Sequence, residues 1–130
     1  MSFRSRPTLL RPALLADAVV SGATGLLLAA GAPLLAPWLG LPTELLRGAG
    51  LCLLPFVAFV ALVARSAPVR PGQVRAVVAL NALWVVASVA LLLLGPASLT
   101  GLGVLCVSAQ ALVVALFAEF QWMGLRGATA

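Results

Sequence analysis

The sequence contains no histidine, no lysine and no tyrosine, and only three acidic residues among 130. Without histidine there is neither a Ser-His nor a Cys-His pair for acyl transfer. Without lysine, no residue carries a retinal or pyridoxal Schiff base. Two cysteines are too few for a secreted disulfide framework, and with no histidine beside them they make a poor zinc or haem site. No enzymatic activity, no metal and no cofactor are therefore expected. Gly48-Ala49-Gly50 and Gly101-Leu102-Gly103 look like fragments of phosphate loops, but each opens an apolar run instead of following a strand. Charge is scarce as well: 8% of residues, against about 25% in soluble globular proteins. The pI of about 11.5 comes from eight arginines scattered through apolar sequence. They do not form a basic face, so nucleic acid is not an expected partner.

What the sequence does have is apolar length. Hydrophobic residues make up 63% of the chain and the mean hydropathy is +1.18. A helix needs about 20 apolar residues to cross a hydrocarbon core of about 30 Å, and four such runs are present, at about 12–33, 44–65, 73–94 and 99–122. The first opens at Arg11-Pro12, where a proline in the first helical turn sacrifices no needed bond, and is expected to end near Pro33. Pro37, Gly40 and Pro42 then punctuate a connector carrying Trp38 as an interface anchor. Thr43 is the expected N-cap of the second span, which holds an interior Pro55 and the expectation of a kink. Runs such as Leu91–Leu94 do not alternate as barrel strands would. The fold class is all-α: one integral membrane four-helix bundle over residues 1–130. The N-terminal run extends too far past Asp17 for a cleaved signal peptide and is expected to remain as the first span.

Arginine placement orients the bundle. Arg4, Arg6 and Arg11 precede the first span, Arg65, Arg70 and Arg75 flank the middle connector, and Arg126 follows the fourth span. The opposite side has only Arg47, with Glu44 close by. The positive-inside rule places both termini and the middle connector in the cytoplasm of a bacterial cell, the chain being a multi-pass inner-membrane protein.

Polar groups within apolar spans require partners. Ala13, Asp17, Ser21, Gly25 and Ala29 recur every four residues and line one helix face, on which the small residues Ala13, Gly25 and Ala29 admit a close neighbour. Asp17 lies six residues beyond Arg11, roughly 9 Å along the axis. It is either a proton- or cation-binding carboxylate or an acid bonded to Arg11 or to a partner helix. Asn81, Trp84 and Ser88 share a face of the third span. Asn81 is six residues beyond Arg75, a depth like that of Asp17, so Asn81 donating to Asp17 is the expected arrangement, with Trp84 over the small face of the first span. In the fourth span Gly103, Gln110, Phe117 and Gln121 recur at seven, seven and four. With Glu119 they outline either a polar pocket opening to the cytoplasm or interhelical hydrogen-bond glue. Cys52 and Cys106 come to similar depths, as a disulfide or as free apolar side chains.

From Asp17 to Leu125 the chain resembles a group of small four-helix bacterial membrane proteins of unassigned function. The resemblance is carried by DAVVSGATGLLL, GLCLLPFVAFVA, LNALWVVASV and the final LTGLGVLCVSAQALVVALFAEFQWMGLR. It implies the four-helix fold and no activity. The chain is also similar to small multidrug exporters in helix count and in having one acid in the first span. The acid of those exporters is a glutamate in a motif absent here. The residues lead first to an accessory or structural subunit whose partners are the lipid bilayer and other membrane subunits or copies of itself. A proton- or cation-coupled transporter or channel using Asp17, with Asn81, Trp84 and Gln110 along its path, is the second reading. Lipid or pigment binding in an apolar groove beside Trp84 is the third.

Overall fold

The structure, a computed structural model, describes the backbone of residues 2–129 and the side chains of residues 9–126. Four helices follow one another: α1 (Ser2–Leu39), α2 (Thr43–Arg65), α3 (Pro71–Leu94) and α4 (Gly101–Thr129). There is no strand among the described residues. All four helices are long and apolar enough to cross a membrane, and their outward faces carry large hydrophobic side chains such as Leu34, Leu62, Leu93 and Leu94. Such surfaces suit a multi-pass membrane protein and would be untenable in water.

The first helix is longer than the sequence punctuation implies. It begins at Ser2, so Pro12 stands in its interior and not in its first turn, and it continues through Pro33 and Pro37 to turn only at Gly40, whose φ is +70°. Both prolines are exposed and stand four residues apart, so their rings share one outward face. The neighbouring turns hold the helix at this end despite the N–H donors that Pro33 and Pro37 lack, a tolerance typical of helices in apolar surroundings. Helix α2 likewise continues through Pro55. Its N-cap is Pro42, not Thr43, and no side chain caps that end.

The packing order is not the chain order. Helix α1 lies against both α2 and α4, and α3 lies against α4, whereas α2 and α3 scarcely meet. Small residues make the close approaches possible. A Cβ on Gly50 would stand 2.5 Å from the Ala29 nitrogen and 2.7 Å from the Gly25 carbonyl oxygen, so α1 and α2 touch backbone to backbone there. Gly124 plays the same part between α4 and Leu10 of α1.

The two ends of the bundle differ. At the arginine-rich end, Leu14, Val60, Val63, Val74, Val77 and Leu125 form a packed core. The guanidinium of Arg11 donates to the carbonyls of Ala64 and Ser66 and so closes the C-terminal end of α2, where a cation also suits the helix dipole. Arg65, Arg70, Arg75 and Arg126 are exposed at this end. Arg4 and Arg6 lie outside the described side chains. At the opposite end the core is smaller, built on Ala32, Leu39, Leu41 and Leu46. There the α3–α4 connector completes α1: Thr100 Oγ1 donates to the Trp38 carbonyl at 2.7 Å, Thr100 N to Leu39 at 3.1 Å, and Ser98 Oγ to Gly40 at 2.9 Å. Thr100 Oγ1 in turn accepts from the Gly103 N–H at 3.0 Å, capping α4.

Candidate functional site

The four-residue periodicity of α1 turns Asp17, Ser21 and Gly25 fully inward, with Ala13 and Ala29 half-buried at either end of the row. Asp17 is completely enclosed, and its carboxylate accepts three hydrogen bonds. Ser21 Oγ donates to Oδ1 at 2.8 Å from one turn further along the same helix. Asn81 Nδ2 of α3 and Gln121 Nε2 of α4 both donate to Oδ2, each at 2.8 Å. Asn81 Nδ2 also donates to Gln121 Oε1 at 3.0 Å, closing a triangle of side chains from three helices. All three donors are neutral. Of the two structural partners open to Asp17, the neighbouring helices are the ones used, because Arg11 is committed to the end of α2.

One layer further from the arginine-rich end, the Trp84 indole N–H donates to Gln110 Oε1, joining α3 to α4. Ser88 spends its hydroxyl locally, on the Trp84 carbonyl at 2.8 Å. The polar residues of α3 therefore divide between two layers: Asn81 belongs to the Asp17 triangle, whereas Trp84 and Ser88 form a second layer with Gln110. Glu119 stays out of both, exposed on the flank of α4, so the fourth-span polar row does not form a pocket that includes it. Gln121, buried as completely as Asp17, is the member of that row that completes the triangle.

Two spaces adjoin these layers. A chamber of about 30 Å³ lies between Ser21, Asn81 and Trp84, closed by Leu53, Phe56, Leu80 and Val114. On the far side of Trp84 is a much larger apolar cavity of about 630 Å³, walled by all four helices, with Trp84, Ser88 and Gln110 at its inner end. Trp84 borders both spaces. The cysteines are free and exposed, with Cys106 on the wall of the large cavity. No group of three metal-type ligands occurs among the described residues.

Because its donors come from α1, α3 and α4, the arrangement can hold three helices in register by hydrogen bonds alone. Comparison with known protein families, with curated proteins and with solved structures finds no match for this chain.

Proposed function

We propose that the chain is a non-enzymatic, four-span inner-membrane protein that works as an accessory or structural subunit, packed against other membrane chains or copies of itself. One observation carries this reading: the single acid in the apolar interior, Asp17, accepts three hydrogen bonds, all from neutral donors on its own helix and on α3 and α4. A carboxylate so enclosed acts as a structural knot. The connectors 40–42, 66–70 and 95–100 are short, which directs partner contacts to the apolar helix faces within the bilayer. The arginine-rich end faces the cytoplasm on the positive-inside rule.

Mild extraction from the native membrane, followed by identification of co-purifying chains, tests the assignment. A stoichiometric partner chain or a defined homo-oligomer is expected, and a protein always recovered alone as a monomer would overturn it. Reconstituted vesicles supply the complementary test. Proton or cation flux that is lost on Asp17→Asn would replace the structural reading with transport.

A further inference from the structure

The large cavity is bounded on four sides but closed on only three. Because α2 and α3 scarcely meet, its walls on Leu45, Leu46 and Ala49 of α2 and on Ala87, Leu91 and Leu94 of α3 leave a lateral mouth between the two helices. In a membrane that mouth opens onto hydrocarbon. A dry apolar void of about 630 Å³ forfeits the dispersion contacts of every side chain lining it, and water gains nothing from so apolar a lining. The surrounding lipid is the available filling.

Dimensions select the occupant. From Trp84 at the inner end to Leu94 at the outer end, the cavity follows ten residues of α3, about 15 Å at the α-helical rise. That is one leaflet, half of a hydrocarbon core about 30 Å thick. A helix about 10 Å across and 15 Å long occupies on the order of 1,200 Å³, about twice the space, so a partner helix or a helix of a second copy does not fit. The described ends of α1 and α4, at Ser2 and Thr129, lie at the opposite end of the bundle. A slender hydrocarbon chain, aligned with its neighbours in the leaflet, matches the length, the apolar walls and the side opening.

We infer that this cavity is a binding site for one acyl chain of a membrane phospholipid, drawn from the leaflet opposite the arginine-rich end. The chain enters between α2 and α3 and its terminal methyl abuts the Trp84 indole. Trp84, held by Gln110, is the end stop. It also keeps hydrocarbon out of the small chamber beyond it, where Ser21 and Asn81 belong to the Asp17 network. This inference is independent of the subunit reading, since a lone monomer and a complex both retain the cavity.

The test uses the full chain with Trp38→Phe and Trp122→Phe, which leaves Trp84 as the sole tryptophan. The protein is reconstituted in vesicles of phosphatidylcholine brominated either near the acyl-chain terminus or near the carbonyl. Terminal bromines are expected to quench Trp84 strongly and carbonyl-proximal ones weakly. Adding Ala49→Phe and Ala87→Phe fills the cavity, and most of the terminal quenching is then expected to disappear. Quenching that survives the filling means that bromine reaches the indole from outside the bundle, and overturns the site. Absence of terminal quenching in the unfilled protein overturns it equally. Native mass spectrometry of the detergent-released protein gives an independent readout that does not rely on Trp84. One phospholipid retained per chain, and lost in the filled variant, supports the site. A retained free fatty acid, a retained isoprenoid or pigment, or no retained molecule overturns the phospholipid assignment.

Discussion

The amide nitrogen of Asn81 stands 2.8 Å from Oδ2 of Asp17, a contact between the first and third helices, of which α1 otherwise packs on α2 and α4 and α3 on α4. Asn81 also donates to Gln121 Oε1, so removing its side chain deletes two bonds at once. Interhelical hydrogen bonds in membranes average about 0.6 kcal/mol and reach about 1.7 kcal/mol. Asn81→Leu should therefore lower stability by about 1–2 kcal/mol, measured by unfolding in mixed micelles. Asn81→Asp should cost more, because it sets a second acid against Asp17. A double-mutant cycle between Asn81 and Gln121 should show coupling, and strict additivity would mean that the triangle does not act as a unit.

Two glycines of α2 that look alike in sequence should behave oppositely. A Cβ at Gly50 meets the backbone of α1 at 2.5 Å, whereas one at Gly48 meets nothing within 4 Å. Gly50→Ala should destabilise by about 1–3 kcal/mol as an overpacked contact. Gly48→Ala should be neutral, or stabilising by up to about 1 kcal/mol through helix propensity. The same unfolding assay ranks the two, and equal effects would contradict the α1–α2 contact.

At the opposite end, Thr100→Val removes a donor to the Trp38 carbonyl and the acceptor for the Gly103 N–H. A loss of about 1 kcal/mol is expected for the cap. Gly40→Ala should be worse, since it combines the left-handed φ of +70° with a Cβ only 1.9 Å from the Ser98 carbonyl oxygen. It should cost at least about 2 kcal/mol, seen as lower yield of folded protein and an earlier unfolding midpoint.

Cys52 and Cys106 are free and exposed on the apolar surface of the bundle. An apolar, membrane-permeant maleimide should label both without prior reduction. Mobility in denaturing electrophoresis should be the same with and without reductant. A shift on reduction, or labelling that requires it, would show a bridge.

The helices were legible because crossing a bilayer takes about 20 apolar residues of helix, and four apolar runs of that length map onto four helices. The Asp17–Asn81 bond was legible from depth alone, each residue lying six positions inside an arginine at the same end. Gln121 carries the same signal, five residues before Arg126, but periodicity grouped it with Gln110 and Phe117 along α4. Which of two glutamines meets which partner depends on the vertical offset between helices, and no residue spacing encodes that offset. The end of α1 was misplaced because Pro33 and Pro37 are strong stop signals in water, where a helix has little reason to continue through them. Inside an apolar slab an unfolded turn would bare more backbone than the two prolines already do. The large cavity was legible only as an apolar groove beside Trp84, without its size or its opening. It arises from the gap between α2 and α3, a property of how hairpins dock.

The bonds from Ser98 and Thr100 to the end of α1 also make the close of the first helix depend on a segment far along the chain. The three carbonyls at the close of the first helix are made early in synthesis, and their partners come from the last connector. Without the second hairpin, those three carbonyls lack these partners. A chain truncated before residue 98 should therefore leave α1 frayed beyond Pro33, whereas the arginine-rich end is already sealed by Arg11 on α2. The close of α1 is thus completed by the second hairpin, whereas Arg11 ties its other end to the first.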